Sequence, residues 1–288
     1  MKKKIGFIDY FLDEWHANHL IDWFKTAKRA DEFELYMAYG EKQPPFEGRR
    51  TNADWCSQNG VKYAETIDEV VANCDCLCVL APSNPEVHYR LAEKALMSGK
   101  PTYVDKPFAP SLEEAKAIFA LAEKHNTRMF SSSALRFGDG MKKIKAFEYR
   151  PSDSALALVK GSGGNFPEYV IHLLEMITSF IGVGAEKVIY NGAGQYEHQL
   201  MIAYPDKRTA CLTMLPGGPY SMVANRGLDT VCIDNMENFF ENFVDALFDF
   251  FADGVMPVEK DETLAVAALV EAAVEAQKNP QQWIAVPK

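Results

Sequence analysis

The sequence predicts an α/β fold in which a doubly wound parallel sheet is followed by an α+β domain with an open, mainly antiparallel sheet. Strand and helix patterns alternate at a regular pitch through the first half of the 288 residues, as is typical of parallel sheets with helices on both faces. The run DCLCVLAP, residues 75–82, is almost continuously apolar, which indicates a strand buried on both faces. In the second half, several strand patterns follow one another with few helices between them. We therefore predict two domains, residues 1–134 and 135–288.

The first domain is predicted from short apolar strands that alternate with segments of helical periodicity. The predicted strands are residues 4–9, 33–39, 61–64, 75–82, 101–107 and 127–133. One predicted helix opens with Thr66 and has Glu69 three residues later, the pattern of a capping box. The predicted helices are residues 13–29, 52–60, 66–74, 84–99 and 111–126.

The second domain is predicted to contain antiparallel strands and three helices. The strand patterns are residues 154–161, 187–194, 196–215 and 229–235. The third of these contains PDKR, residues 205–208, a sequence that favours a hairpin turn. The predicted helices are residues 167–181, 238–252 and 264–277.

The composition excludes two classes of partner. A formal net charge of −10 argues against nucleic acid and anionic membranes, because phosphate binding needs clustered Lys and Arg. No apolar run approaches the roughly 20 residues that span a bilayer. Asp9 and Asp13 also interrupt the apolar core that a signal peptide needs. We therefore expect a cytoplasmic protein.

Three cysteines alternate near the apolar run, so that on a strand Cys74, Cys76 and Cys78 point to one face. This pattern fits a thiolate metal site, and it also fits small apolar thiols inside a buried strand. We favour buried thiols, because free cysteine is among the most buried residue types. No bound metal is predicted.

The ends of the strands supply the first candidates for a ligand site. In a doubly wound sheet, ligands bind beyond the carboxyl ends of the strands, where the strand order reverses. The predicted strand ends there are residues 9–11, 39–41, 81–88 and 105–107. Lys106 follows an acid and precedes a proline, so its ammonium is a candidate to bind a ligand oxygen and exchange a proton with it. The alternative is an ordinary surface lysine.

A second candidate lies on the predicted helix that begins near Asn165 and Pro167. Glu168 and His172 are four residues apart, so they share a helix face opposite the apolar positions. We predict that His172 faces a cleft or water and that Glu168 orients it. A solvated helix face is the alternative interpretation.

Residues 75–137 resemble the central part of the Gfo/Idh/MocA oxidoreductases. The matching elements are the turn from Pro82 to His88, Ser98-Gly99-Lys100 for Ala-Gly-Lys, Asp105-Lys106-Pro107 for Glu-Lys-Pro, and Arg136-Phe137 for Arg-Phe. The helix with Glu168 and His172 is similar to the family's Asp-x-x-x-His segment, and the sequence from residue 238 onward resembles its C-terminal pattern.

The resemblance implies a Rossmann domain, a second domain built on an open antiparallel sheet, and NAD(P)-dependent oxidation of a sugar or polyol. It makes Lys106 the catalytic lysine and His172 the acid/base, with Glu168 in place of the family's aspartate. It also implies a homodimer or homotetramer that associates through the C-terminal sheet. The residues predicted to bind NAD or NADP are Gly6, Ile8, Asp9, Tyr10, Phe11, Leu12, Gly40, Glu41, Ala81, Pro82, Asn84, His88, Asp105, Lys106 and Arg136.

One departure from the family concerns its glycine-rich phosphate loop. Asp9, Phe11 and a residue near Glu14 stand where Gly-x-Gly-x-x-Gly is expected. Those glycines let the pyrophosphate approach the backbone and the first helix. An acid there repels a phosphate by about 4 kcal/mol per charge pair at about 4 Å and an effective dielectric of about 20. Asp13 and Glu14 favour the helix N-terminus but take the electrostatic role of the phosphate.

Three explanations remain open. The cofactor binds in a shifted pose, or the protein has lost the cofactor and become a binding or regulatory protein. In the third, Asp9, Glu14 and His16 help bind a polyol, a cation or a metal in the vacated space. Our leading hypothesis is an oxidoreductase acting on a sugar-like or polyol substrate. The sequence does not specify the substrate or distinguish NAD from NADP as the cofactor.

Overall fold

The computed structural model describes residues 1–145, 154–192 and 197–288. They form two compact units: residues 1–132 with 244–259, and residues 133–243 with 260–288. The predicted parallel sheet of the first domain and the mainly antiparallel sheet of the second are both confirmed, one in each unit.

The first unit is a six-stranded sheet in which every strand pair is parallel. The strands are β1 (Lys3–Asp9), β2 (Phe33–Gly40), β3 (Lys62–Tyr63), β4 (Cys76–Val79), β5 (Thr102–Val104) and β6 (Met129–Phe130), in the spatial order β3-β2-β1-β4-β5-β6. The order reverses between β1 and β4, so this is the position where a doubly wound sheet offers its ligand site.

Five helices connect these strands: α1 (Trp15–Thr26), α2 (Asn52–Asn59), α3 (Ile67–Asn73), α4 (His88–Met97) and α5 (Leu112–Lys124). Their boundaries follow from local capping. Thr51, Thr66 and Ser111 each cap a helix by accepting a hydrogen bond from a backbone N–H of the first turn. Gly60 ends α2 in the left-handed conformation.

Residues 244–259 belong to the first unit, whereas the sequence placed them in the second domain. They include most of α8 (Phe239–Asp253). The ring of Phe248 lies 5.0 Å from that of Phe24 and 4.5 Å from that of Phe33, and Phe250 lies 5.0 Å from Phe130. Burial of these aromatic surfaces draws the segment into the core of the first unit, a long-range effect that a linear boundary cannot capture.

The second unit is built on a seven-stranded sheet. The strands are β7 (Ala155–Ser162), β8 (Lys187–Tyr190), β9 (His198–Ala203), β10 (Arg208–Leu215), β11 (Ser221–Arg226), β12 (Asp229–Ile233) and β13 (Trp283–Ala285), in the order β12-β11-β7-β10-β9-β8-β13. β10 pairs with β7 in parallel, and the other pairs are antiparallel. One parallel pair among six is consistent with the predicted, mainly antiparallel sheet. Residues 193, 194 and 196 of the predicted strands lie outside the described residues.

Helices of the second unit are α6 (Asp139–Lys145), α7 (Phe166–Ile181) and α9 (Lys260–Lys278). The sequence did not predict α6, β11 or β13. On α7, Glu175 and Met176, three and four residues after His172, are both buried. Glu175 tolerates burial because Arg136 pairs with it, which the helical pattern alone does not reveal.

The described residues contain no helix that is both long and apolar enough to cross a membrane. Cys74, Cys76 and Cys78 are buried, as predicted. Burial raises the pKa of Cys74 and Cys76 to about 12 and that of Cys78 well above its ordinary value, so these thiols are poor sources of thiolate. In the described part of the chain, no cluster of His, Cys, Asp and Glu has the geometry of a metal site.

Candidate active site

The carboxyl ends of β1, β4 and β5 carry the candidate site of the first unit. Asp9 ends β1, Ala81 follows β4, and Asp105 follows β5. Asp9 and Asp105 are almost completely buried. Parallel pairing of β1 with β4 and of β4 with β5 brings these three ends to the same edge of the sheet.

Asp9 links two strand ends. Its Oδ1 accepts hydrogen bonds from the backbone N–H of Tyr10 at 2.6 Å and of Ala81 at 3.0 Å. Its Oδ2 is buried and has no hydrogen-bond partner among the described residues. Burial, reinforced by the nearby carboxylates of Glu14 and Asp105, raises the pKa of Asp9 well above its ordinary value. Asp9 therefore favours the neutral acid.

Glu14 occupies the N-terminus of α1. Its carboxylate accepts hydrogen bonds from the backbone N–H groups of Ala17 and His16, the latter at 2.7 Å. These are the amides that a helix N-terminus offers to an anion. Glu14 is nearly buried, and that burial raises its pKa. Glu14 therefore caps α1, as an acid near a helix N-terminus is expected to do; that it takes the place of a phosphate stays a prediction.

Asp13 points to a different partner. Its Oδ1 accepts a hydrogen bond from Arg50 Nη2 at 2.6 Å, and its Oδ2 accepts one from the Arg50 N–H at 2.9 Å. Burial alone would raise the pKa of Asp13, but Arg50 and Asn18 lower it to about 2. The ion pair fixes the turn after β1 to the segment before α2.

The carboxylate of Asp105 contacts three different residues. Its Oδ1 accepts hydrogen bonds from Tyr103 Oη and from the Lys106 N–H, both at 2.8 Å. Its Oδ2 pairs with Nδ1 of His16. Burial on its own would raise the pKa of Asp105, but His16, Lys106 and Tyr103 hold it well below its usual range. Asp105 is therefore an anion that can only accept hydrogen bonds.

Lys106 is buried with its ammonium near a carbonyl. It is 8% exposed, and its Nζ donates to Pro82 O at 3.5 Å. Across the described ranges, no carboxylate oxygen lies within ion-pair distance of that ammonium, although its charge acts on Asp105. Lys106 is thus not the exposed surface lysine that the tripeptide alone also allowed.

The remaining predicted residues of the loop after β1 hold the turn together. Ile8 and Leu12 are fully buried, and Leu12 N–H donates to Asn52 Oδ1 at 2.9 Å. Tyr10 and Phe11 are half-buried, with ring centroids 6.0 Å apart. The amide of Asn52 also donates to Gly40 O at 3.1 Å. This one buried side chain therefore joins the turn after β1 to the end of β2.

Two of the predicted glycines serve close packing. A Cβ on Gly6 would overlap Val70 of α3, and one on Gly40 would overlap the side chain of Asn52. The neighbouring Glu41, considered as the ribose-binding acid, is ion-paired with Arg90, whose Nε lies 3.0 Å from it. Any ribose contact by Glu41 has to compete with that pair.

The turn after β4 is organised by His88. Its Nε2 lies 2.7 Å from Leu80 O and its Nδ1 lies 3.0 Å from Phe108 O. The ring is fully buried and therefore joins the turn after β4 to the segment after β5. Asn84 donates through its amide to Glu86 at 2.8 Å.

In the second unit, His172 is half-buried on α7, and its Nδ1 lies 2.7 Å from Ser133 Oγ. Glu168 accepts a hydrogen bond from the amide of Asn165, the N-cap residue, at 2.8 Å. The helix start at Asn165 is confirmed. A role of Glu168 in orienting His172 stays a prediction.

Arg136, predicted to bind cofactor, is 3% exposed and forms ion pairs within the second unit. Its Nε donates to Glu175 at 2.7 Å, and its Nη1 pairs with Glu262. These acids keep the pKa of Arg136 raised despite its burial. Its described contacts are those of a structural ion-pair network.

The phosphate loop does not fit a dinucleotide in the ordinary position. Its pyrophosphate requires the free amides at the start of α1, and Glu14 already uses the amides of His16 and Ala17. Asp9 fills the first glycine position with a buried side chain that bridges two strand ends. Lys106 and Pro82 lie together at the carboxyl edge of the sheet, with Lys106 Nζ 3.5 Å from Pro82 O, and their roles toward a cofactor stay predictions.

Sequence reasoning missed several partners of the site. It named His16 only as a companion of Glu14, and it did not foresee Tyr103, Asn52 or Ser133. Tyr103 carries a readable signal, since it lies two residues before Asp105 on the same face of a strand. The other contacts join residues far apart in sequence and have no local pattern.

Comparison with known proteins adds a family assignment. Residues 15–133 match a family model described as an oxidoreductase family with an NAD-binding Rossmann fold. The match begins directly after Glu14, so it leaves out the altered loop.

Two curated proteins align with part of the chain. An uncharacterised oxidoreductase, YhhX of Escherichia coli, is 26% identical over 186 residues, which are 59% of this chain and 47% of that protein. Myo-inositol dehydrogenase Hyg17 of Streptomyces leeuwenhoekii is 25% identical over 146 residues, 45% of this chain and 44% of that protein. The chain thus spans less than half the length of these two relatives.

Solved structures support the fold. The crystal structure of GenD2 from gentamicin A biosynthesis, in complex with NAD, superposes with a TM-score of 0.77 over 100% of this chain and 97% of that one. The two sequences are 13% identical, so the likeness establishes the architecture alone.

Proposed function

We propose that this chain, which belongs to the Gfo/Idh/MocA oxidoreductase family, acts as a dehydrogenase on a hydroxyl or keto group of a sugar, polyol or related compound. The observation that carries the proposal is the position of Lys106. Its buried ammonium lies at the carboxyl edge of the first sheet, anchored by Asp105 through its backbone and free of a direct carboxylate partner in the described residues. A lysine held in this way can bind a substrate oxygen and pass a proton to or from it.

His172 is the second proton-handling group of the proposal. Its Nδ1 lies 2.7 Å from Ser133 Oγ, and this contact restrains the orientation of the ring. The inositol dehydrogenase among the relatives favours a polyhydroxy substrate. The proposal names the chemical class of the substrate and not a single compound.

NAD or NADP is the redox partner that family membership implies. Because Glu14 holds the amides at the start of α1, the proposal requires the pyrophosphate to lie elsewhere than in the ordinary seat. For that reason we assign roles to Lys106 and His172 in proton handling and derive no step through the cofactor.

One observation favours a second candidate function, a ligand-binding relative without nicotinamide. The Glu14 carboxylate satisfies the end of α1 from within the protein, so the fold does not need a phosphate there. Such a protein keeps a sugar or polyol site and has no turnover of its own.

Fluorescence titration of the protein with NADH and NADPH tests the two functions against each other. Binding of either cofactor, together with loss of polyol oxidation in Lys106→Ala, supports the dehydrogenase. Lys124→Ala is the matched control, because this lysine is exposed at the end of α5. No binding of either cofactor, combined with thermal stabilisation by a polyol, favours the ligand-binding relative and refutes the dehydrogenase.

We also propose that a second copy of the chain covers the open face of the C-terminal sheet. Leu158, Cys211 and Met201 are register partners across β7, β10 and β9, so they share one face. Leu158 is 41% exposed and Met201 46%, and a groove of about 410 Å³ borders Leu158 and Cys211. A monomeric mass by light scattering would refute this proposal. If the mass is that of a dimer or tetramer, Leu158→Glu should dissociate it.

A further inference from the structure

His16 is fixed at both of its ends. Its backbone N–H donates to Glu14 Oε2 at 2.7 Å, and its ring Nδ1 pairs with Asp105 Oδ2. The two anchors come from the cap of α1 and from the end of β5, which lie 91 positions apart in the chain counted from Glu14 to Asp105. An imidazole held in this way has lost its freedom of rotation before any ligand arrives.

The pairing with Asp105 also decides which nitrogen of the ring carries the proton. The Asp105 carboxylate accepts from Tyr103 Oη and from the Lys106 N–H through Oδ1, so it is the anionic, accepting partner of the pair. An anion accepts only, so Nδ1 must donate. In the neutral imidazole, Nε2 then keeps its lone pair and is a hydrogen-bond acceptor.

Part of the His16 side chain is exposed, in contrast to its partner. The His16 side chain is 18% exposed, whereas that of Asp105 is 1% exposed. Among the described residues, none provides a hydrogen bond to Nε2. A buried acid that orients a partly exposed histidine is the arrangement by which proteins prepare a general base.

We propose that His16 and Asp105 form a dyad in which His16 Nε2 accepts a hydrogen bond from a hydroxyl group of the ligand. Asp105 is the positioning residue, because the Nδ1–H of His16 donates to its carboxylate. The ligand class rests on the proposed function, a sugar or polyol.

The dyad depends on Glu14 and Asp105, two positions at which this chain departs from the family pattern. Glu14 replaces a glycine and caps α1, which sets the backbone of His16. Asp105 is one methylene shorter than the glutamate that the family resemblance gives at this position. The acids at positions 14 and 105, which differ from the family pattern, therefore close the pyrophosphate site and also hold the His16 imidazole at the carboxyl edge of the sheet.

A plain structural ion pair is the competing interpretation, and ligand contact at Nε2 separates the two. A structural pair gives Nε2 no role in binding, whereas the dyad requires Nε2 to accept a hydrogen bond from the ligand. The groups that act on His16 are the carboxylates of Glu14 and Asp105. Asp9 and Lys106 act on Asp105 in turn.

Nitrogen-15 NMR of the histidine rings provides the first test. The chain has six histidines, and His16→Gln assigns the His16 signals by their disappearance. We expect the Nδ1 signal of His16 to be that of a protonated nitrogen that donates to a carboxylate. If Nδ1 carries no proton, the proposal is overturned.

Titration with myo-inositol, scyllo-inositol, glucose and sorbitol provides the second test. We expect one of these probes to shift the His16 Nε2 signal and His16→Gln to weaken its binding about three- to tenfold, the range for one neutral hydrogen bond. His19→Gln is the control, because His19 is exposed on the same helix. A probe that shifts the signals of Lys106 or His172 but leaves His16 unchanged overturns the dyad and keeps the proposed function. If no probe shifts any of the three, both fall.

Discussion

Removing the carboxylate of Glu14 should open the N-terminus of α1 to the pyrophosphate of NADH. Glu14 is 8% exposed and holds the amides of His16 and Ala17. At a separation of about 4 Å and an effective dielectric of about 20, one charge pair is repelled by about 4 kcal/mol, or about three orders of magnitude in affinity. Protonation of Glu14 and screening reduce this, so we expect a gain of at least about tenfold.

Two variants separate charge from occupancy. Glu14→Gln removes the charge and keeps an oxygen that can cap the helix, whereas Glu14→Ala removes both. We therefore expect NADH affinity to increase from wild type to Glu14→Gln to Glu14→Ala. Only the alanine variant should lose the cap, at a cost of about 1 kcal/mol in the free energy of unfolding.

Fluorescence titration with NADH and urea denaturation measure the two effects independently. Asp22→Asn is the control, because it removes an exposed acid from the same helix. Wild-type protein that binds NADH as tightly as Glu14→Ala would show that the pyrophosphate does not compete with Glu14, and the reasoning about the closed seat would be wrong.

Three further predictions concern burial. Burial raises the pKa of Asp9, so the folded state keeps the Asp9 proton at pH values above the ordinary pKa of 3.8. The free energy of unfolding therefore falls as the pH rises from 3.8 toward the raised pKa of the folded state. Asp9→Asn should stabilise the protein more at pH 7 than at pH 4, as measured by urea titration. Glu175→Gln removes one carboxylate from the buried Arg136 and should lower the free energy of unfolding by about 3 kcal/mol, whereas an unchanged urea midpoint would contradict a structural role for this pair. Iodoacetamide should modify Cys232, which is exposed, and leave Cys74, Cys76 and Cys78 unmodified until the chain is unfolded.

The sequence predicted the parallel sheet well because its signals are local. Each strand of the first unit is a short apolar segment, and caps such as Thr66 and Ser111 mark where helices begin. Strand direction in the second unit is not local. β7 and β10 pair in parallel although 45 residues separate Ser162 from Arg208, and no pattern within either strand specifies its neighbour.

The site was predictable to the level of strand ends and no further. The rule that ligands bind beyond the carboxyl edge singled out Asp9, Ala81 and Asp105 correctly as neighbours. It could not pair His16 with Asp105, because the contact depends on the rotation of α1 about its own axis. Glu14 sets that rotation by capping two specific amides, and the sequence identifies Glu14 only as an acid near a helix start.

Four carboxylates at one end of a sheet would repel one another if all were ionised and unpaired. In this structure, each of the four acids is stabilised in a different way. Asp9 favours the neutral form, through burial and the charges of Glu14 and Asp105. Asp13 pairs with Arg50, and Glu14 is neutralised in part by the α1 amides. Asp105 alone combines full burial with a held negative charge. The negative charge of Asp105 requires hydrogen-bond donors, and the partly exposed donor is Nδ1 of His16. In the proposed dyad, the second ring nitrogen of His16 binds the ligand.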